Sequence, residues 1–466
     1  MTSVPRLVAT FLALLVAASA SRSAPPIEVA VSRSGGAWIA DFHFPRRAGA
    51  WAFVRSSITR EGARPWRPQS WTVETPGVRL ERHGHYDVLA GANGRPLPER
   101  VRIRFAPFPG DLIADYDPAL LFSDGSVALY SEQFDAFPLR SPTRAARLPI
   151  DLGDAGIAID PTRVTFRDSG GAVLHAGRRV ASVSLDDDDG TYVLFGPAEP
   201  VATESLAAII DPALPGWIRR SLLHDTPLIL AGYAEALGPA PGPKPTLMVS
   251  WAGATPRLTS MGGSVLPGLI AMTYEGAGVV EENEAVRREG LWFIAHEGAH
   301  FWLGQAITYQ YSRDAWITEG GADLLAIRAA AAVDPGYDPR VALQAAVDDC
   351  ATLTVGRGVA AAEQRNEHRA YYACGAVFGL IAEAASGRPF ADFVRALVDA
   401  NRADRVVTRE EWLAALDRAS GDPSLHADLG RLIDRGAADP KAALASLFTR
   451  AGIAFAPDGD GAPRLQ

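Results

Sequence analysis

A helix carrying two histidines four residues apart constrains this chain more than any other feature. His296-Glu297-Gly298-Ala299-His300 lies inside a stretch, 281–303, whose apolar spacing predicts a helix. Side chains at i and i+4 on a helix stand nearly one above the other, about 40° apart around the axis. Both imidazoles therefore reach one ion, and Glu297 on the same side is placed to take a proton from a water held there. The plain alternative is a buried helix with two satisfied core histidines. A catalytic zinc takes three protein donors and keeps one position open. Glu319 is the candidate third donor, separated from His300 by eighteen intervening residues, in Trp316-Ile317-Thr318-Glu319-Gly320-Gly321-Ala322-Asp323, which opens a second helix. One Zn2+ per chain is expected. Gly320 and Gly321 cost helix stability, about 1 kcal/mol each, and are expected to let the two helices approach closely around the ion. Asp323, four residues after Glu319, is either the acceptor for the free N–H of a ligating histidine or an exposed helix carboxylate.

The rest of the chain divides by hydrophobic pattern. Short alternating segments recur from Ile27 to Ile210 (Ile27–Ser32, Trp38–His43, Trp71–Glu74, Val101–Phe105, Ser126–Tyr130, Val164–Phe166 and Tyr192–Phe195), punctuated by Gly, Pro and Asp. They predict an antiparallel β-sandwich or saddle over 25–210. At Asp211-Pro212 the character changes. A helix is expected over 215–237, strands over 246–251 and 266–274, and helices from 281 onward. Asp338-Pro339, Asp422-Pro423 and Asp439-Pro440 each set an N-cap carboxylate before a first-turn proline, and Thr408 with Glu411 forms a capping box. The fold expected is α+β and multidomain, with a metal-binding domain over 211–388 and a helical region over 389–466.

Composition excludes several classes. A net charge of −9 with no basic run speaks against a nucleic-acid partner. No internal stretch is long and apolar enough to cross a bilayer. Arg6, the apolar run Leu7–Ala18 and the small residues Ala18-Ser19-Ala20 read as a secretory signal peptide over 1–20, so the mature chain is expected to be exported, periplasmic or secreted. The chain has two cysteines, Cys350 and Cys374. In an oxidising compartment they are disulfide candidates; two separate buried thiols are the alternative. Oligomeric state is not encoded in any pattern found.

These residues carry a resemblance. His296-Glu-Gly-Ala-His300-Phe-Trp302-Leu-Gly304, followed by Trp316-x-x-Glu319-Gly320-x-Ala322, resembles the gluzincin zinc metallopeptidases, above all the membrane-alanyl-aminopeptidase family and its glycyl-aminopeptidase relatives. The resemblance implies a thermolysin-like catalytic domain, a peptide substrate, zinc on His296, His300 and Glu319, and Glu297 as general base. It also implies a tyrosine oxyanion donor within a Tyr-x-Lys-Gly pattern. Tyr372-Ala373-Cys374-Gly375 has that register, with Cys374 where the lysine stands, and favours Tyr372 over Tyr371.

One departure bears on specificity. The family's edge strand reads Gly-x-Met-Glu-Asn, and its glutamate holds the substrate's α-amine. The matching segment, Gly262-Gly263-Ser264-Val265-Leu266-Pro267-Gly268-Leu269, has Val265 at that position; Glu275 lies further along, out of register. The sequence thus implies an aminopeptidase-like metallopeptidase whose α-amine anchor is replaced. A non-catalytic, zinc-containing envelope binding protein is the alternative.

Overall fold

The computed structural model describes residues 25–113, 115–150, 152, 157, 159–186, 190–203, 205–242 and 244–466. The expected signal peptide, 1–20, lies outside them. The architecture is mixed α+β, with sheets in the N-terminal half and helices in the C-terminal half.

Among the described residues, three sheets build the β region. The largest has six strands, in the order Val183–Asp186, Thr162–Asp168, Ile27–Ser34, Ala37–His43, Arg100–Phe105, Trp71–Val73. Its inner positions alternate as the sequence predicts: Ile27, Val29 and Val31 are buried while Glu28 and Ala30 face out. The expectation of a wholly antiparallel region needs one correction, because Ile27–Arg33 runs parallel to Thr162–Asp168. A parallel neighbour from far along the chain leaves no local turn signal to read. A four-stranded and a five-stranded sheet, both antiparallel, complete the region. Aromatic side chains fill the space between them, among them Phe42, Phe53, Trp66, Trp71 and Phe134. Short helix α1 (Arg67–Ser70) buries the Arg67 guanidinium completely, 4.2 Å from the Phe53 ring and 3.0 Å from Asp87. A fully buried arginine persists because a carboxylate and aromatic faces replace its water.

The second half begins with a five-stranded sheet, in the order Val201–Ala202, Ala207–Ile210, Thr246–Trp251, Leu269–Glu275, Ser260–Leu266. It reaches upstream of residue 211, since Ala207–Ile210 pairs in parallel with Thr246–Val249. Asp211 is wholly buried at this junction: it accepts the backbone N–H groups of Ser123 (2.8 Å), Ala213 (2.9 Å) and Trp251 (3.3 Å), and so ties the two regions. The helices are α2 (Gly216–Leu237), α3 (Glu284–Ala299), α4 (Trp316–Val333), α5 (Pro339–Leu353), α6 (Arg369–Ser386), α7 (Phe390–Ala400), α8 (Arg409–Ser420), α9 (Pro423–Arg435) and α10 (Pro440–Ala451). Asp338, Asp422 and Asp439 cap their helices through side-chain oxygens, and Thr408 with Glu411 forms the reciprocal box. One hydrophobic core runs from Leu206 to Ala451, so the helices beyond residue 389 are continuous with those before it. Among the described residues no helix is long and apolar enough to cross a membrane.

Candidate metal centre and cleft

Helix α3 starts where Asn283 accepts from the N–H groups of Ala285 and Val286, and ends at Ala299, leaving His296 in its last turn and His300 as its C-cap. The residues after His300 hold it there. Trp302 donates from its indole to Gly238 O at 2.9 Å and packs on Tyr233, whose hydroxyl donates to Ala295 O at 3.0 Å. Gly304 sits at φ +145°, where a side chain would lie 3.1 Å from His300 O. The turn this permits carries Leu303 O to 2.7 Å from His300 Nδ1. A carbonyl only accepts, so Nδ1 carries the proton and Nε2 presents its lone pair.

That lone pair meets matching donors. His300 Nε2 is 3.0 Å from His296 Nε2, and Glu319 Oε2, from the first turn of α4, is 3.5 Å from each. Donors at about 2.0–2.2 Å on a tetrahedral zinc stand roughly 3.3 Å apart. The three atoms therefore already have the separation that such an ion requires. Asp323 Oδ1 lies 2.9 Å from His296 Nδ1, though off the ring's N–H direction.

The electrostatics match. Burial pulls both imidazoles down, but Asp323 and Glu319 override it and raise His296 to about 10; Glu319 raises His300 as well. Burial pushes Glu319 up, yet the two histidines hold it below the ordinary carboxylate range. The cluster thus demands positive charge at its centre, and a divalent cation meets that demand by displacing protons. Glu297 is buried, and that burial raises it, which makes it readier to hold a proton.

The Tyr372 ring stacks on His296, with centroids 5.7 Å apart and planes at 24°. Burial and the neighbouring Glu319 charge raise its phenol, so it stays a donor. Tyr371 points elsewhere: it is buried, and its hydroxyl accepts from Glu363 N at 3.3 Å. Cys350 and Cys374 form a disulfide joining α5 to the helix that carries Tyr372. The glycines act differently from expectation. A Cβ on Gly320 would meet Gly375 Cα at 2.2 Å, and one on Gly375 would meet Trp316 O at 2.2 Å, so the close approach is between α4 and the tyrosine helix α6. Gly321 faces Leu303 instead.

These groups open into a cleft of about 880 Å³, lined on the other sides by the edge strand from Ser260 to Val265 and by β-region residues that sequence reasoning missed, including Arg55, Asp115, Tyr116 and Asp117. Tyr116 donates to Val265 O at 3.4 Å. Arg55 lies over the Tyr116 and Tyr130 rings and pairs with Asp115 at 3.1 Å and with Glu132. Burial and nearby Asp111, against the pull of Arg60, hold Asp117 up at about 7. No sequence signal marks these residues, because connecting segments distant in sequence bring them together. Glu275 also lines the cleft, but it pairs with Ser260 at the far end of the hairpin and accepts from Thr255 at 2.5 Å. Val265 pairs with Ile270, five positions away, roughly 17 Å along the strand.

No family model matches the sequence, and no curated protein does. Solved structures do share the fold. An aminopeptidase N family protein from Idiomarina loihiensis superposes with a TM-score of 0.62 at 11% identity, over 90% of this chain and 78% of its own. Yeast LTA4 hydrolase superposes with a TM-score of 0.51 at 12% identity, over 89% of this chain and 68% of its own. At these identities the likeness shows that the chain has the fold of that group.

Proposed function

We propose that this chain is a zinc-dependent metallopeptidase, aminopeptidase-like in kind, that hydrolyses peptide bonds in the cleft between its β region and its helices. The observation that carries the reading is the convergence of His296 Nε2, His300 Nε2 and Glu319 Oε2 at 3.0–3.5 Å on the wall of that cleft. One zinc per chain is held by these three residues in a thermolysin-like catalytic domain over about 211–388. When bound, zinc supplies Lewis acidity toward a water and a peptide carbonyl. Glu297 accepts the proton that the attacking water gives up and passes it to the leaving amine. Tyr372 donates its hydroxyl to the oxygen on which negative charge develops. Asp323 keeps the His296 ring turned toward the site.

A closed structural zinc site takes four protein donors and leaves no base beside it. Here three donors and a buried, proton-avid Glu297 line a cleft open to solvent, which favours catalysis over a purely binding role. The sequence features at 1–20 support export, so we place the substrate among peptides outside the cytoplasm. The test is hydrolysis of a library of free and N-blocked peptides by zinc-loaded protein. Release of new amino termini that stops on chelation is expected. A library left intact by the loaded protein would overturn the proposal.

A further inference from the structure

Arg369 stands in the first turn of α6, three residues ahead of Tyr372. Its Nε donates to Asp349 Oδ2 on α5 at 2.8 Å, and its Nη1 lies 3.7 Å from Asp323 Oδ2. The other oxygen of Asp323 is the one 2.9 Å from His296 Nδ1. Asp323 is buried, with its side chain 6% exposed, and Arg369 and His296 are its only ion-pair partners among the described residues. Arg369 is beyond hydrogen-bond reach of that second oxygen, so it acts on Asp323 as a charge, attracting Oδ2 and leaving Oδ1 toward the His296 ring. We infer that Arg369 is a positioning residue: its charge biases the orientation of Asp323, which faces His296 Nδ1, and so tunes the metal affinity of the centre. This rests on the zinc reading given above.

A purely structural role is the competing explanation, because Arg369 also links α5 to α6 through Asp349. That link is duplicated. Cys350, the residue after Asp349, is bonded to Cys374 of α6, so the two helices stay joined without the arginine. The effect left to Arg369 alone is the one on Asp323.

The experiment is a zinc titration of the full chain against a chromophoric chelator, which reads affinity and not turnover. Arg369→Gln and Arg369→Ala are compared with wild type, after thermal unfolding has confirmed that each is folded. Arg369 is about half exposed, and an ion pair of that exposure is worth up to about fivefold. Both variants are therefore expected to bind zinc about three- to fivefold more weakly, with Arg369→Lys recovering part of the loss. Asp323→Asn should cost about 10- to 100-fold, and adding Arg369→Ala to it should cost nothing more. Wild-type affinity in both Arg369 variants overturns the inference. So does an equal loss from Arg369→Ala in the Asp323→Asn background, which would mean that the arginine acts elsewhere. Wild-type protein that takes up no zinc overturns the functional reading, and this inference with it.

Discussion

The two walls of the cleft are built by opposite means. On the helical wall the chemistry is local: His296 and His300 are four residues apart, Glu319 follows within the next helix, and Asp323 is one turn further. On the β wall, Arg55 reaches Asp115 across 60 residues and Glu132 across 77. The helical wall holds groups that can move protons and bind a cation. The β wall holds the Arg55 ion pairs and aromatic rings that shape the space, together with Asp117, an acid raised toward neutrality. The comparison teaches that substitutions on the first wall should change turnover and spare the fold, whereas those on the second should change stability and spare the metal.

The largest expected effect tests the helical wall. Glu297→Gln keeps the shape and removes the proton acceptor, so kcat should fall by about 10²–10⁴-fold with zinc content and thermal unfolding unchanged. Single-turnover peptide hydrolysis measures this, and a wild-type rate would remove Glu297 from the chemistry and restore the non-catalytic alternative. Tyr372→Phe should lower kcat by about 10²-fold with metal retained. Tyr371→Phe should change little, since that hydroxyl serves Glu363 N. The reverse pattern would reassign the oxyanion donor.

On the β wall, Arg55→Met strips the cation from two carboxylates, Asp115 and Glu132, at a site one-third exposed. The expected loss is about 1–3 kcal/mol in denaturant unfolding, with zinc content intact. Loss of zinc with no loss of stability would erase the contrast between the walls. The smallest effect concerns the joint between them. No carboxylate stands at Val265, and Glu275 is engaged with Thr255 at the other end of the hairpin. A charge-assisted contact to an α-amine is worth about 10- to 150-fold. Without one, free and N-acetylated forms of a peptide should differ less than about tenfold in kcat/KM, and Glu275→Ala should leave that ratio unchanged. A strong preference for free termini that collapses in Glu275→Ala would mean that this glutamate had taken over the anchor.

The same contrast sets what was legible in the sequence. The pairing of His296 with His300 was legible because helix geometry fixes i, i+4 neighbours regardless of the surrounding fold, and caps such as Asp338 and Thr408 act through residues two or three positions away. Individual strands were legible by alternation. Their partners were not, as the parallel pairing of Ile27–Arg33 with Thr162–Asp168 shows. Alternation fixes which face a residue takes but carries no record of the neighbouring strand. The destination of Gly320 was illegible for a related reason: a bare backbone marks a close approach without naming what approaches. Arg369 lies between these cases, since its place one helical turn before Tyr372 was available, but its reach to Asp323 depends on how α4 and α6 cross.

The central claim is that His296, His300 and Glu319 hold one zinc. It is tested most directly by elemental analysis of purified wild-type protein beside His296→Ala, His300→Ala and Glu319→Ala. One zinc per chain is expected in the wild type and none in the three variants, each folded by thermal unfolding. An unchanged zinc content in all three variants would contradict it.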